Sequence, residues 1–142
     1  MGVYRGRSSS ALGARVKLSS IAALADGHLS PGAFESENAA DLAERKSLLG
    51  KKGSVVPVRV QEDVDLLISA ARIARLCDLY ARGDLSIVAL AYLADAAQLS
   101  ERSTFSDESC IDFLVEFTDP EVNGIFTAAR AREIAHALAA HT

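Results

Sequence analysis

The sequence predicts a mostly α protein: a compact single-domain helical bundle with at most a minor strand near residues 55–60. Apolar residues recur at helical spacing in four segments, and Ile87 to Ala97 is apolar around almost its whole circumference. The only candidate for extended chain is the run Val55, Val56, Val58 and Val60, which Pro57 restricts to an edge strand or linker. The 142 residues are one domain's worth, enough to bury about two-thirds of the unfolded surface. With 49% hydrophobic and 24% charged residues the composition is that of a globular chain rather than a disordered one.

Residues 1–15 are expected to form a flexible basic arm, and residues 16–142 the helical domain. The first 25 residues hold Arg5, Arg7, Arg15 and Lys17 and no acid, with Ser8, Ser9 and Ser10 among them. That composition resembles a transit peptide, but no apolar core of a secretory signal is present. A short helix is expected from Leu18 to Asp26, stopped by Gly27. Pro31 and Gly32 read as a turn before a helix from Ser36 to Leu49. Gly50-Lys51-Lys52-Gly53-Ser54 lacks the order of a phosphate loop and reads as a solvated basic turn.

From Gln61 the spacing predicts a helix running to Arg82, with Glu62, Asp63 and Asp65 in its first turn, where acids suit the helix dipole, and Gly83 at its end. Ser86 is placed to cap a central helix, Ile87 to Leu99. Tyr92 and Asp95 within it need polar partners if buried, and a structural role for Asp95 is preferred over that of a catalytic acid. Asp107 to Phe117 is the fourth strong helix, capped by Ser106, with Cys110, Ile111, Phe113, Leu114 and Phe117 on its buried side. Thr118 to Gly124 reads as a turn, and Thr127 as the cap of a last helix to about Ala140.

Charge is unevenly distributed. The net charge of −4 conceals a basic first 60 residues and a strongly acidic stretch from 61 to 121. Glu101, Asp107, Glu108, Asp112, Glu116, Asp119 and Glu121 fall in one segment whose only base is Arg102. Glu108, Asp112 and Glu116 recur every four residues, so a helix would stack them as one outward ridge. Like charges at that spacing repel by a few tenths of a kcal/mol per pair, and a basic partner would turn that cost into attraction. These seven acids are the candidate partner-binding residues, with Phe105 and Val115 as candidate apolar anchors. The acidic middle speaks for basic protein partners and against nucleic acid.

No nucleophile elbow, zinc spacing, dinucleotide loop or metalloprotease pair occurs, so neither enzyme, metal nor cofactor is expected. The longest apolar run is too short for a membrane span. Cys77 and Cys110 lie on separate predicted helices and form no CxxC pair, which fits free core thiols in a cytoplasmic chain.

The run Leu85-Ser86 through Ala91-Tyr92-Leu93-Ala94-Asp95-Ala96, with Thr104-Phe105-Ser106-Asp107-Glu108 and Thr118-Asp119-Pro120-Glu121-Val122-Asn123-Gly124, resembles small helical immunity proteins of bacterial toxin systems. Those of contact-dependent growth inhibition are the nearest comparison. The resemblance covers residues 84 to 127. It implies an intracellular, non-catalytic inhibitor of one cognate toxin domain, basic if it is a nuclease. Two alternatives stand beside it: a structural or regulatory helical module whose acidic face is merely solvated, and a small helical enzyme using Asp95 or the Glu108/Asp112 pair.

Overall fold

The computed structural model describes residues 16–48, 58–118 and 126–139. The basic arm, the Lys51-Lys52 turn, Val55 and Val56 of the valine run, and Asp119 and Glu121 lie outside them. Among the described residues the chain forms β1 (Val16–Lys17), α1 (Leu18–Ala25), α2 (Pro31–Glu37), α3 (Ala39–Leu48), β2 (Val60–Gln61), β3 (Leu66–Ile68), α4 (Ala70–Ala81), α5 (Ile87–Leu99), β4 (Ser103–Phe105), α6 (Glu108–Thr118) and α7 (Ala128–Ala139). The predicted helical class holds. The strands form two separate parallel pairs, β1 with β2 and β3 with β4.

Helix α5 lies at the centre of the packing, as its composition demands. Ala89 to Ala94, Ala96 and Ala97 are all buried, and the Ser86 hydroxyl caps the helix by accepting from the Ala89 amide at 3.1 Å. Helix α4 packs most extensively on α7, and α5 on α6, with α1 and α3 closing over the other sides. Gly27 and Gly83 both adopt φ of +82°, the left-handed conformation that ends α1 and α4. Cys77 and Cys110 are free and buried. Desolvation pushes the Cys77 thiol up to about 12, leaving it almost entirely un-ionised at neutral pH.

The segment from Pro31 to Leu48 departs from the sequence expectation. Pro31 does not sit in a turn; it occupies the first turn of α2, with the Ser30 hydroxyl accepting from the Ala33 amide. That position suits proline, whose missing N–H has no helical partner there. The single helix expected from Ser36 is broken at buried Asn38, whose Nδ2 donates to the Phe34 carbonyl at 2.9 Å.

The helix expected from Gln61 begins only at Ala70, where Ser69 caps it. Before it, Leu66 and Ile68 are buried and Leu67 exposed, the period-two pattern of a strand. The three acids read as its first turn lie on the loop between β2 and β3 and serve distant groups. Asp63 does meet a helix N-terminus, but that of α1: it accepts from the Ser19 amide at 3.1 Å and from the Ser19 hydroxyl. Glu62 accepts from the Ser100 hydroxyl at 2.6 Å, and Asp65 pairs with Arg102 at 2.8 Å. Asp26 holds Arg72 through two hydrogen bonds of 2.8 and 3.0 Å.

These tethers have a pH signature. The Arg72 hydrogen bond lowers Asp26, the Ser100 hydroxyl lowers Glu62 and Arg102 lowers Asp65. At Asp63 desolvation pushes upward, but the Ser19 hydroxyl and amide outweigh it and the net direction is down. A carboxylate lowered in the folded state stabilises above its unfolded value, about pH 4, and that stabilisation fades as pH falls through the folded value. Thermal stability should therefore be level in this respect above about pH 5 and drop below about pH 4. Asp63→Ala should cost about 1 kcal/mol at neutral pH, as loss of a helix cap does, and should lessen the acid-side drop. An unchanged acid limb in melting experiments on that variant would exclude this role.

Candidate functional site

The acidic segment is organised by α6. After β4, the Ser106 amide donates to the Ile68 carbonyl at 3.0 Å and closes the strand pair. The cap of α6 is Asp107 rather than Ser106: its carboxylate accepts from the Ser109 amide at 2.9 Å and from the Ser109 hydroxyl. A carboxylate here both satisfies a free amide and complements the helix dipole. The Ser106 hydroxyl lies instead 3.5 Å from Cys110 Sγ.

Cys110, Leu114 and Phe117 form the buried row of α6, with Phe113 half-buried beside it. Ile111 was expected on this row and is not: it is 39% exposed, and Val115 is 41% exposed. At about 100° per residue, Ile111, Val115, Glu108 and Asp112 occupy adjacent strips of the outer face. Glu108 and Asp112 are exposed. Glu116 follows on the same arc but is half-buried, its carboxylate gripped by Arg130 Nε at 2.6 Å and Nη2 at 3.1 Å. Arg130 also reaches Glu133 at 3.1 Å. The Glu116 hydrogen bond, followed by that to Glu133, holds the guanidinium more firmly protonated than usual against the opposing effect of desolvation. Glu116 thus joins α6 to α7, while Glu108 and Asp112 remain available to solvent.

Glu101 is exposed just beyond α5, two residues after Leu99, whose side chain is also exposed. Phe105 is half-buried against the core, so of the two candidate anchors Val115 is the accessible one. Asp119 and Glu121 fall outside the described residues. Nothing local in the sequence signalled Arg130 as the partner of Glu116, since the pair spans 14 residues and two helices.

The polar residues of α5 find partners on α3. The Tyr92 hydroxyl donates to Asp41 at 2.7 Å, and Asp95 forms an ion pair with Arg45. Burial, reinforced by Asp41, raises the Tyr92 hydroxyl well above its ordinary value. Asp95 is therefore tied into the seam between two helices. Beside it, Glu35, Leu42, Ala43, Lys46, Ser86, Ile87 and Val88 line a shallow, mainly apolar cleft of about 370 Å³. Its carboxylate, Glu35, is occupied in holding the Ser86 amide and hydroxyl.

Among the described residues no group of three His, Cys, Asp or Glu side chains could hold a metal ion, and no helix is long and apolar enough to cross a membrane. The result is a small helical domain in which one exposed helix face sets two carboxylates beside two apolar side chains. No family model matches the chain, nor does any curated protein or solved structure.

Proposed function

We propose that this chain is an immunity or antitoxin-type protein that binds and neutralises a cognate, basic toxin domain without catalysing a reaction. The observation that carries the reading is the outer face of α6. Glu108 and Asp112 are exposed there, beside Ile111 and Val115, large apolar side chains that the core leaves exposed. Enzymes that act on nucleic acid are commonly cationic, because their substrate is a polyanion. An acidic face speeds encounter with such a protein and fixes its register, and apolar contacts lengthen the life of the complex. Asp107, exposed at the start of α6, adds a further carboxylate at that end, Glu101 is exposed beyond α5, and Asp119 and Glu121 follow α6 in sequence. Glu116 contributes chiefly by holding α6 against α7 through Arg130.

The test is co-expression with the product of the adjacent reading frame, expected to be basic, followed by binding and inhibition measurements. Wild type should bind it and suppress its toxicity, and association should slow as salt rises, because screening confines the field to about 8 Å at physiological ionic strength. Glu108→Lys with Asp112→Lys should slow association sharply and flatten its salt dependence. A wild-type chain that neither binds nor protects against that neighbour would end the proposal. A charge-reversed variant that associates as fast as wild type at every salt would remove the acidic face from it.

A further inference from the structure

We infer that the outer face of α6 is an apolar-anchored docking strip for a basic amphipathic helix of the partner, centred on Ile111 and Val115 and flanked by Glu108 and Asp112. This deepens the neutralising role proposed above and rests on it for its biological setting. Ile111 and Val115 stand one helical turn apart, 39% and 41% exposed, whereas the inward row of α6 is already complete with Cys110, Leu114 and Phe117. Neither exposed side chain is needed to close the core, and water gains nothing from them.

The charges beside the strip decide what covers it. Glu108 and Asp112 make no ion pair with any described residue; the nearby sequence arginines are committed elsewhere, Arg102 to Asp65 and Arg130 to Glu116 and Glu133. A second copy of this chain docking through the same face in a two-fold contact would bring four like carboxylates together around the apolar centre. A cationic partner removes the repulsion between Glu108 and Asp112 instead. Apolar positions one turn apart, with acids on the adjoining row, present the spacing that an opposing helix meets when side-chain ridges enter grooves. The complementary segment carries apolar residues at i and i+4 and Lys or Arg beside them. Glu116, turned to Arg130, bounds the strip on the α7 side and is not one of its contacts.

The test uses the full chain, isotope-labelled, titrated with a synthetic helical peptide that has leucines at i and i+4 and flanking lysines. A second peptide carries glutamate at each lysine. The expected result is chemical-shift change centred on Ile111 and Val115 with the basic peptide and none with the acidic one. Ile111→Ser with Val115→Ser should weaken binding about tenfold or more, as loss of central anchors does. Glu108→Gln with Asp112→Gln should weaken it less and flatten its salt dependence. Shifts mapping to another part of the molecule, equal binding of both peptides, or undiminished binding by the serine variant would overturn the inference. So would self-association of wild type through this face. If the neighbouring gene product fails to bind while the basic peptide still maps to α6, the neutralising role falls and the docking strip stands.

Discussion

Asp95→Ala should destabilise the protein by about 3 kcal/mol, the lower end of what breaking a buried ion pair costs. The lower end applies because Asp95 keeps 29% of its side chain accessible while Arg45 keeps 9%. The cost falls on Arg45, left charged inside the α3–α5 seam with its best partner gone. Its Nη1 already has no hydrogen-bond partner among the described residues, so removing the carboxylate leaves a poorly solvated guanidinium. Replacing both residues, Arg45→Met with Asp95→Leu, should recover most of the loss, because no uncompensated charge then remains. Urea denaturation of the three variants measures both effects. A loss below about 0.5 kcal/mol for Asp95→Ala, the scale of a neutral surface change, would show that the pair does not hold the seam. A destabilised single variant rescued by the double one would assign Asp95 a structural role, the one its place in the sequence suggested.

What the sequence could show depended on how local the interactions are. Helix α5 was legible because an all-round apolar segment capped by Ser86 has one physical solution, burial at the centre. Gly27, Gly83 and Thr127 were legible as helix boundaries for equally local reasons: positive φ at the first two, and a hydroxyl that accepts from the Arg130 amide at 3.0 Å at the third. Leu66 to Ile68 was not, because a short apolar run fits period two and period 3.6 alike. The acids before it strengthened the wrong choice, since carboxylates ahead of an apolar run look the same whether they begin their own helix or cap another. Asp63 caps a helix 44 residues back, which no local pattern encodes. The acidic segment had the same limit. Exposure of Glu108 and Asp112 followed from helical spacing, but the capture of Glu116 depended on where α7 lies.

Phe117→Ala should be among the most damaging single substitutions, costing about 3–5 kcal/mol, as truncation of a buried phenylalanine does. Phe117 is fully buried at the last turn of α6 and meets the Phe126 ring edge-on, with centroids 4.9 Å apart and planes at 61°. Phe126 in turn stacks on Tyr80 of α4 at 5.4 Å, and the Tyr80 hydroxyl donates to the Phe126 carbonyl at 2.6 Å. One aromatic chain thus connects α6, the lead-in to α7 and α4. Deleting its first ring removes the edge-on contact with Phe126 and leaves a cavity that the neighbouring side chains can only partly fill. At about 3 °C per kcal/mol for a domain of this size, the melting temperature should fall by about 9–15 °C. Phe117→Leu should lose much less, because it keeps most of the apolar volume. Tyr80→Phe, which gives up one hydrogen bond, should cost about 1 kcal/mol. The same ring also supports the outer face, since Val115 and Glu116 lie on the turn of α6 that Phe117 anchors. Phe117→Ala should therefore weaken the binding proposed for that face at temperatures where the rest of the domain remains folded. A melting temperature within about 2 °C of wild type, less than the shift from a single kcal/mol, would mean that the α6–α7 junction does not depend on this contact.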